Sequence, residues 1–189
     1  MLKQILEQQD KHLRLTNIRN AHVGIINFDL DSDVIESVLA AVPGNDYSAY
    51  YLPWDPDTGY FIDLPDPPAG QNPHLFLTAN LSGCCVGVQN FSGFVRVRHY
   101  NLFTSGNHNP VFSQDDLFRY GTNVSWLLPA NKYNVTAINR AAPYTHAGPY
   151  AEAVLWGEYV ARSWPFTSKW HFYYQNGNSD TVIHELNYQ

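Results

Sequence analysis

The stretch Cys84-Cys85-Val86-Gly87-Val88-Gln89-Asn90-Phe91-Ser92-Gly93-Phe94-Val95-Arg96-Val97-Arg98-His99 decides the architecture. Val86 and Val88 precede a polar, glycine-containing centre, and Val95 and Val97 follow it. Apolar residues at every second position share one face of an extended strand. Asn90 at the first position and Gly93 at the fourth suit a type I turn. The two halves are therefore expected to fold back as an antiparallel hairpin. Closed by a two- or four-residue loop, it sets Val88 against Val95, Val86 against Val97 and Cys84 against His99. A three-residue loop with a bulge at Gly93 fits the spacing equally well and sets Tyr100 against Cys84. In the first register the thiol and the imidazole stand about 4.5–5.5 Å apart at Cβ, within hydrogen-bond reach of each other.

The texture on both sides is that of short strands between turns. His22–Leu30, Tyr47–Trp54, Tyr60–Leu64, His74–Leu81, Val124–Leu128 and Val135–Asn139 are expected strands, and Ala151–Arg162 is read as another. His171–Gln175 and Thr181–Leu186 flank Asn176-Gly177, a pair suited to a tight hairpin turn. Helical spacing appears near the start, with Leu2, Ile5, Leu6 and Leu13 on one stripe. A second helix is expected from Asp33 to Val42, with Val34, Val38, Leu39 and Val42 on one face and Pro43-Gly44 ending it. Ser113-Gln114-Asp115-Asp116 resembles a capping box that opens a short helix to Tyr120. Strands in the middle and at the end, with helices gathered at the start, make this an α+β chain: a β-sandwich flanked by helices.

Composition narrows the function classes. A chain of 189 residues suits a single domain, 1–189, and is long enough to bury a full core without staples. Hydrophobic residues make up 44%, which marks a folded chain, and aromatics 15%, which favours half-buried sheet. The net charge of −6 and the lack of a Lys/Arg cluster disfavour nucleic acid as a partner. No apolar run is long enough to span a membrane, and the polar amphipathic start is unlike a Sec signal peptide. The two cysteines are neighbours, so they build no disulfide framework, and free thiols point to work in a reducing compartment. The other histidines, His12, His22, His74, His108, His146, His171 and His184, make no metal-ligand spacing with each other or with the cysteines. Neither a metal nor another cofactor is expected.

The Cys84–His99 pair has a chemical use. A thiol with pKa about 8.5 is mostly protonated at neutral pH, and the thiolate is the nucleophile. A neighbouring imidazole takes the proton, then returns one to a departing amine or ammonia. Gly83 permits close approach, and backbone N–H groups around Gly83 and Cys84 are candidates for an oxyanion site. Cys85 points to the other face of the strand and is expected to be inert packing.

Leu81-Ser82-Gly83-Cys84 resembles the Leu-Ser-Gly-Cys signature of the family formed by the cytotoxic necrotizing factor catalytic domain and Burkholderia lethal factor. These are bacterial toxins that deamidate a glutamine of a host protein. In the family a His follows the Cys on a neighbouring strand, and His99 matches it. A Thr six residues before the Cys is a third member in the lethal factor, and Thr78 stands at that place. The third group orients the imidazole, in the necrotizing factors through a main-chain carbonyl. Leu52-Pro53-Trp54 is similar to a string upstream of the lethal-factor motif. The resemblance spans Thr78 to His99. It implies a β-sandwich of mixed sheets with outer helices and a cysteine-dependent protein-glutamine deamidase. The family precedent is an effector delivered to the host cytosol, acting on a GTPase or a translation factor. A cysteine protease or a transglutaminase would use the same dyad. A binding module without catalysis is the alternative of another class.

Overall fold

The computed structural model describes residues 1–18, 22–33, 37–53, 58–81, 85–101, 103–104, 107–108, 135–138, 153–163, 167–176 and 181–186. Helix α1 (Leu2–Gln9) opens the chain, followed by β1 (His12–Leu15), β2 (Gly24–Asp33), β3 (Val38–Pro43), β4 (Tyr47–Leu52), β5 (Thr58–Pro65) and β6 (Leu75–Thr78). Next come β7 (Cys85–Phe91), β8 (Phe94–Asn101), β9 (Phe103–Thr104), β10 (Asn107–His108) and β11 (Val135–Ile138). The chain closes with β12 (Ala153–Val160), β13 (Lys169–Asn176) and β14 (His184–Leu186).

Eight strands form a mixed sheet in the order β1-β3-β2-β4-β6-β12-β13-β14, and four form a second sheet in the order β11-β7-β8-β5. The β1/β3 and β4/β6 pairs are parallel; the other pairs in both sheets are antiparallel. The large sheet curls until β1 meets β13. The buried side chain of Gln175 makes that join: it accepts the Leu13 N–H at 2.8 Å and donates to the Lys11 carbonyl at 2.9 Å. Inside the curl lies one core, with Leu2 and Leu6 of α1 packed among Phe28, Tyr51, Leu77 and Trp156. Asp10, at φ 51°, ends α1 in a left-handed cap. Buried Glu158 of β12 accepts the Lys3 N–H and pairs with the Met1 ammonium, satisfying the start of the helix.

The other face of the large sheet meets the small sheet in a second core. Leu52, Phe76, Leu155 and Phe172 come from one side, and Ile62, Leu64, Val86, Val88, Val95 and Val97 from the other. Strand alternation explains the division: Val95 and Val97 are buried inward, while Arg96 and Arg98 take the outer face. There Arg96 holds Asp63 of β5 through both carboxylate oxygens, at 2.6 and 2.7 Å. Trp170 Nε1 donates to the Pro65 carbonyl at 2.8 Å and ties β13 to β5.

Four expectations change. The flanking helices reduce to one, α1, among the described residues. The helix expected over Asp33–Val42 gives way, among the described residues, to the end of β2 and the strand β3, with 34–36 outside them. Val38 and Leu39 are both buried although they face opposite ways, because β3 lies between β1 and β2. An apolar run buried on both faces mimics a helical stripe. Leu13 belongs to β1 and not to the helix. β13 and β14 pair as expected, but the register Phe172↔Leu186 joins them through a longer connection than a tight Asn176-Gly177 turn. The expected helix at 113–120 and strand at 124–128 lie outside the described residues. Among those residues no helix is long and apolar enough to cross a membrane.

Candidate functional site

The hairpin forms, with its turn one residue later than the spacing suggested. Phe91 pairs with Phe94, and Ser92-Gly93 makes the bend. Gly93 takes φ 86°, which the third position of a type II turn requires and glycine supplies without steric cost. The closing rings of Phe91 and Phe94 stack at 4.7 Å, an aromatic contact that favours this register. Moving the centre by one residue moves every partner by two. His99 therefore faces Val86, Val88 faces Val97, and Cys85 faces Tyr100. The direct pairing of Cys84 with His99 is thus corrected, and so is the three-residue alternative. A shift of two keeps every residue on its face.

His99 of β8 points inward with Val95 and Val97 and is 1% exposed. Thr78, the last residue of β6 in the large sheet, is fully buried and meets it from across the seam. Thr78 Oγ1 lies 2.8 Å from His99 Nδ1 and 2.9 Å from the Leu52 carbonyl. The carbonyl can only accept, so the one hydroxyl proton goes to it. The same oxygen must then accept from the ring. His99 carries its proton on Nδ1, and Nε2 keeps a bare lone pair. That Nε2 is buried and has no hydrogen-bond partner among the described residues. Burial pushes the His99 pKa from its ordinary 6.5 down to about 3, so the ring is a neutral base.

The anchor of this relay comes from strand order. β4 and β6 run parallel with Leu52 beside Thr78. The Leu52 carbonyl also accepts the Ala79 N–H at 3.1 Å, so both its lone pairs are used. Pro53, which has no N–H to donate, follows at once and β4 stops. Three residues after Thr78, Leu81 is locked to Ala153 by two backbone bonds of 2.8 and 2.9 Å. The chain then leaves the large sheet, and by Cys85 it is in the small one, next to the partner of His99.

Of the residues singled out by sequence, the structure brings Thr78 and His99 into contact and fixes Leu81 at the exit from the large sheet. Ser82, Gly83 and Cys84 lie outside the described residues. The Leu52 carbonyl was not foreseen. The Leu52-Pro53 step, where a strand must end, is the signal that marks it. Tyr60, which β5 places directly beside His99, was not foreseen either.

No protein-family model matches the chain, and no curated protein matches it. Among solved structures it is similar to the C-terminal domain of CNFy from Yersinia pseudotuberculosis. The identity is 8% and the TM-score 0.49, over 87% of this chain and 70% of that one.

Proposed function

We propose that this chain is a cysteine-dependent protein-glutamine deamidase of the toxin type, with Cys84 as nucleophile, His99 as base and Thr78 as the group that orients it. The observation that carries the reading is the Thr78–His99 hydrogen bond of 2.8 Å, because its direction leaves Nε2 free as an acceptor. The chain tether supports the partner. Val86 pairs with His99, and Cys84 stands two residues earlier in the sequence. Two residues span at most about 7 Å, so the Cα of Cys84 stays within about 12 Å of that of His99.

The chemistry then follows from the resting state. His99 is neutral, so Cys84 rests as a thiol and not as a thiolate–imidazolium pair. When a glutamine carboxamide enters, Nε2 takes the thiol proton and sulfur attacks the amide carbon. Backbone N–H groups around Gly83 and Cys84 receive the oxyanion, since the Leu81 N–H is already given to the Ala153 carbonyl. The C–N bond breaks as Nε2–H protonates the nitrogen, and ammonia leaves a thioester. Water attacks the thioester, His99 takes its proton and returns it to sulfur, and glutamate is released. Throughout, Nδ1–H stays on the hydroxyl of Thr78, which passes the interaction to the Leu52 carbonyl.

The substrate in this reading is a host protein with an accessible glutamine, and the chain acts as a delivered effector in the host cytosol, as one catalytic domain over 1–189. The test is mass spectrometry of host proteins incubated with the full chain. One glutamine should gain the mass of an amide-to-acid conversion, and Cys84→Ser and His99→Gln should each abolish it. Peptide cleavage, or incorporation of an added amine, would assign the dyad to a protease or a transglutaminase instead. Deamidation that survives Cys84→Ser would end the mechanism.

A further inference from the structure

His99 is a base kept dry, and the strand order shows what stands beside it in its own sheet. On the β7 side its partner is Val86, fully buried. On the β5 side its partner is Tyr60. The Asp66 N–H bonds to the Gly93 carbonyl at 3.0 Å, which marks that pair as a hydrogen-bonded one. Bonded pairs recur at every second residue of an antiparallel ladder, so Tyr60 and His99 form such a pair, with Cα atoms about 5.5 Å apart. Along the inner face of β5 burial falls toward this end. Leu64 is 0% exposed, Ile62 8%, and Tyr60 is half-buried against the same core. On this strand, then, exposure rises toward Tyr60, while the ring one strand further in is closed to water.

We infer that Tyr60 is a positioning residue that walls His99 off from solvent along β5. A phenol suits such a rim, with an apolar ring turned to the core and a polar tip at the wet edge. The inference deepens the proposed function and rests on it only for the reactivity of Cys84. Among the described residues Tyr60 is the titratable group facing the imidazole. Thr78 on β6 and Val86 on β7 are uncharged, and the guanidinium groups of Arg96 and Arg98 lie toward Phe61 on the outer face. Among the described residues no carboxylate bonds to the ring, so water is what would stabilise a proton on it.

The experiment is an NMR titration of the His99 ring in the full chain, assigned by its loss in His99→Gln. Tyr60→Phe keeps the wall and should leave the midpoint unchanged. Tyr60→Ala admits water and should raise it by about one unit or more toward the ordinary value. Tyr60→Thr, which favours strand, gives the same reading if the alanine variant does not fold. Ile62→Ala removes apolar bulk from the same face two residues away and should not move the midpoint. An unmoved midpoint in Tyr60→Ala or Tyr60→Thr overturns the inference, as does an equal rise in Ile62→Ala. Iodoacetamide labelling of Cys84 against pH separates the two claims. A raised His99 midpoint with an unchanged labelling profile sustains the role of Tyr60 and overturns the Cys84–His99 dyad.

Discussion

One hydroxyl proton sets the state of the site. Thr78 gives it to the Leu52 carbonyl, and that choice directs the His99 ring. Thr78→Val keeps the shape and removes the relay. Nδ1–H then has no acceptor, the preferred tautomer is lost, and the proposed deamidation should fall roughly 10²-fold, within the range that acid–base catalysis contributes. Thr78→Ser should keep most of the activity, and comparing the two variants in a single-turnover assay checks the relay. The ring also ties stability to pH. The unfolded chain takes a proton at His99 near 6.5, while the folded chain resists until about 3. The unfolded state therefore binds more protons between those values. The stability due to this residue is whole above 6.5 and is lost as the pH falls through that window. Urea midpoints from pH 7 to pH 5 should drop more steeply for the native chain than for His99→Gln. The nearness of Thr78 to His99 was legible from the resemblance and its spacing. The Leu52 carbonyl was not, because a backbone acceptor has no letter of its own and depends on which strands lie parallel.

Elements carry the register that aims these residues. Gly93 at φ 86° bends the β7–β8 hairpin, and a side chain there meets the left-handed penalty of roughly 1–2 kcal/mol. Gly93→Ala should lower the denaturation midpoint accordingly. If the substitution also recentred the turn by one residue, every cross-strand partner would move by two, and His99 would lose its place opposite Val86. Alternating valines told the hairpin and its faces, whereas Asn90 drew the turn one residue early. The stacked Phe91–Phe94 pair outweighs a propensity at one position. β3 misled for a different reason. A strand between two others is apolar on both sides, and periodicity then ceases to separate strand from helix. Gly157 of β12 marks another fixed point. A Cβ there would stand 2.9 Å from the Phe172 ring and 3.3 Å from Phe76 Cβ, where those two buried rings meet edge to face. Gly157→Ala should cost about 1–3 kcal/mol by overpacking, measured by equilibrium unfolding.

At the scale of the molecule, a curled sheet closed inside by α1 carries a smaller sheet on its outer face, and the site sits on the seam. Thr78 belongs to one sheet and His99 to the other, so their 2.8 Å contact depends on how the sheets dock. The segment 82–84, which holds the candidate nucleophile, is bounded by Leu81 in one sheet and Cys85 in the other. Leu81→Ala would open a cavity in the shared core and free one anchor of that crossing. It should cost about 2–5 kcal/mol and depress the proposed deamidation at temperatures where the fold persists. The sandwich was legible from strand texture. The curl was not, since it rests on Gln175 reaching Leu13 across 162 positions of sequence. The proposed proton transfer from the Cys84 thiol to His99 is the claim on which the rest stands, and site-resolved iodoacetamide labelling at neutral pH tests it most directly. Cys84 should label well ahead of Cys85 and lose that lead in His99→Gln. Equal labelling of the two cysteines, or a lead that survives His99→Gln, would contradict it.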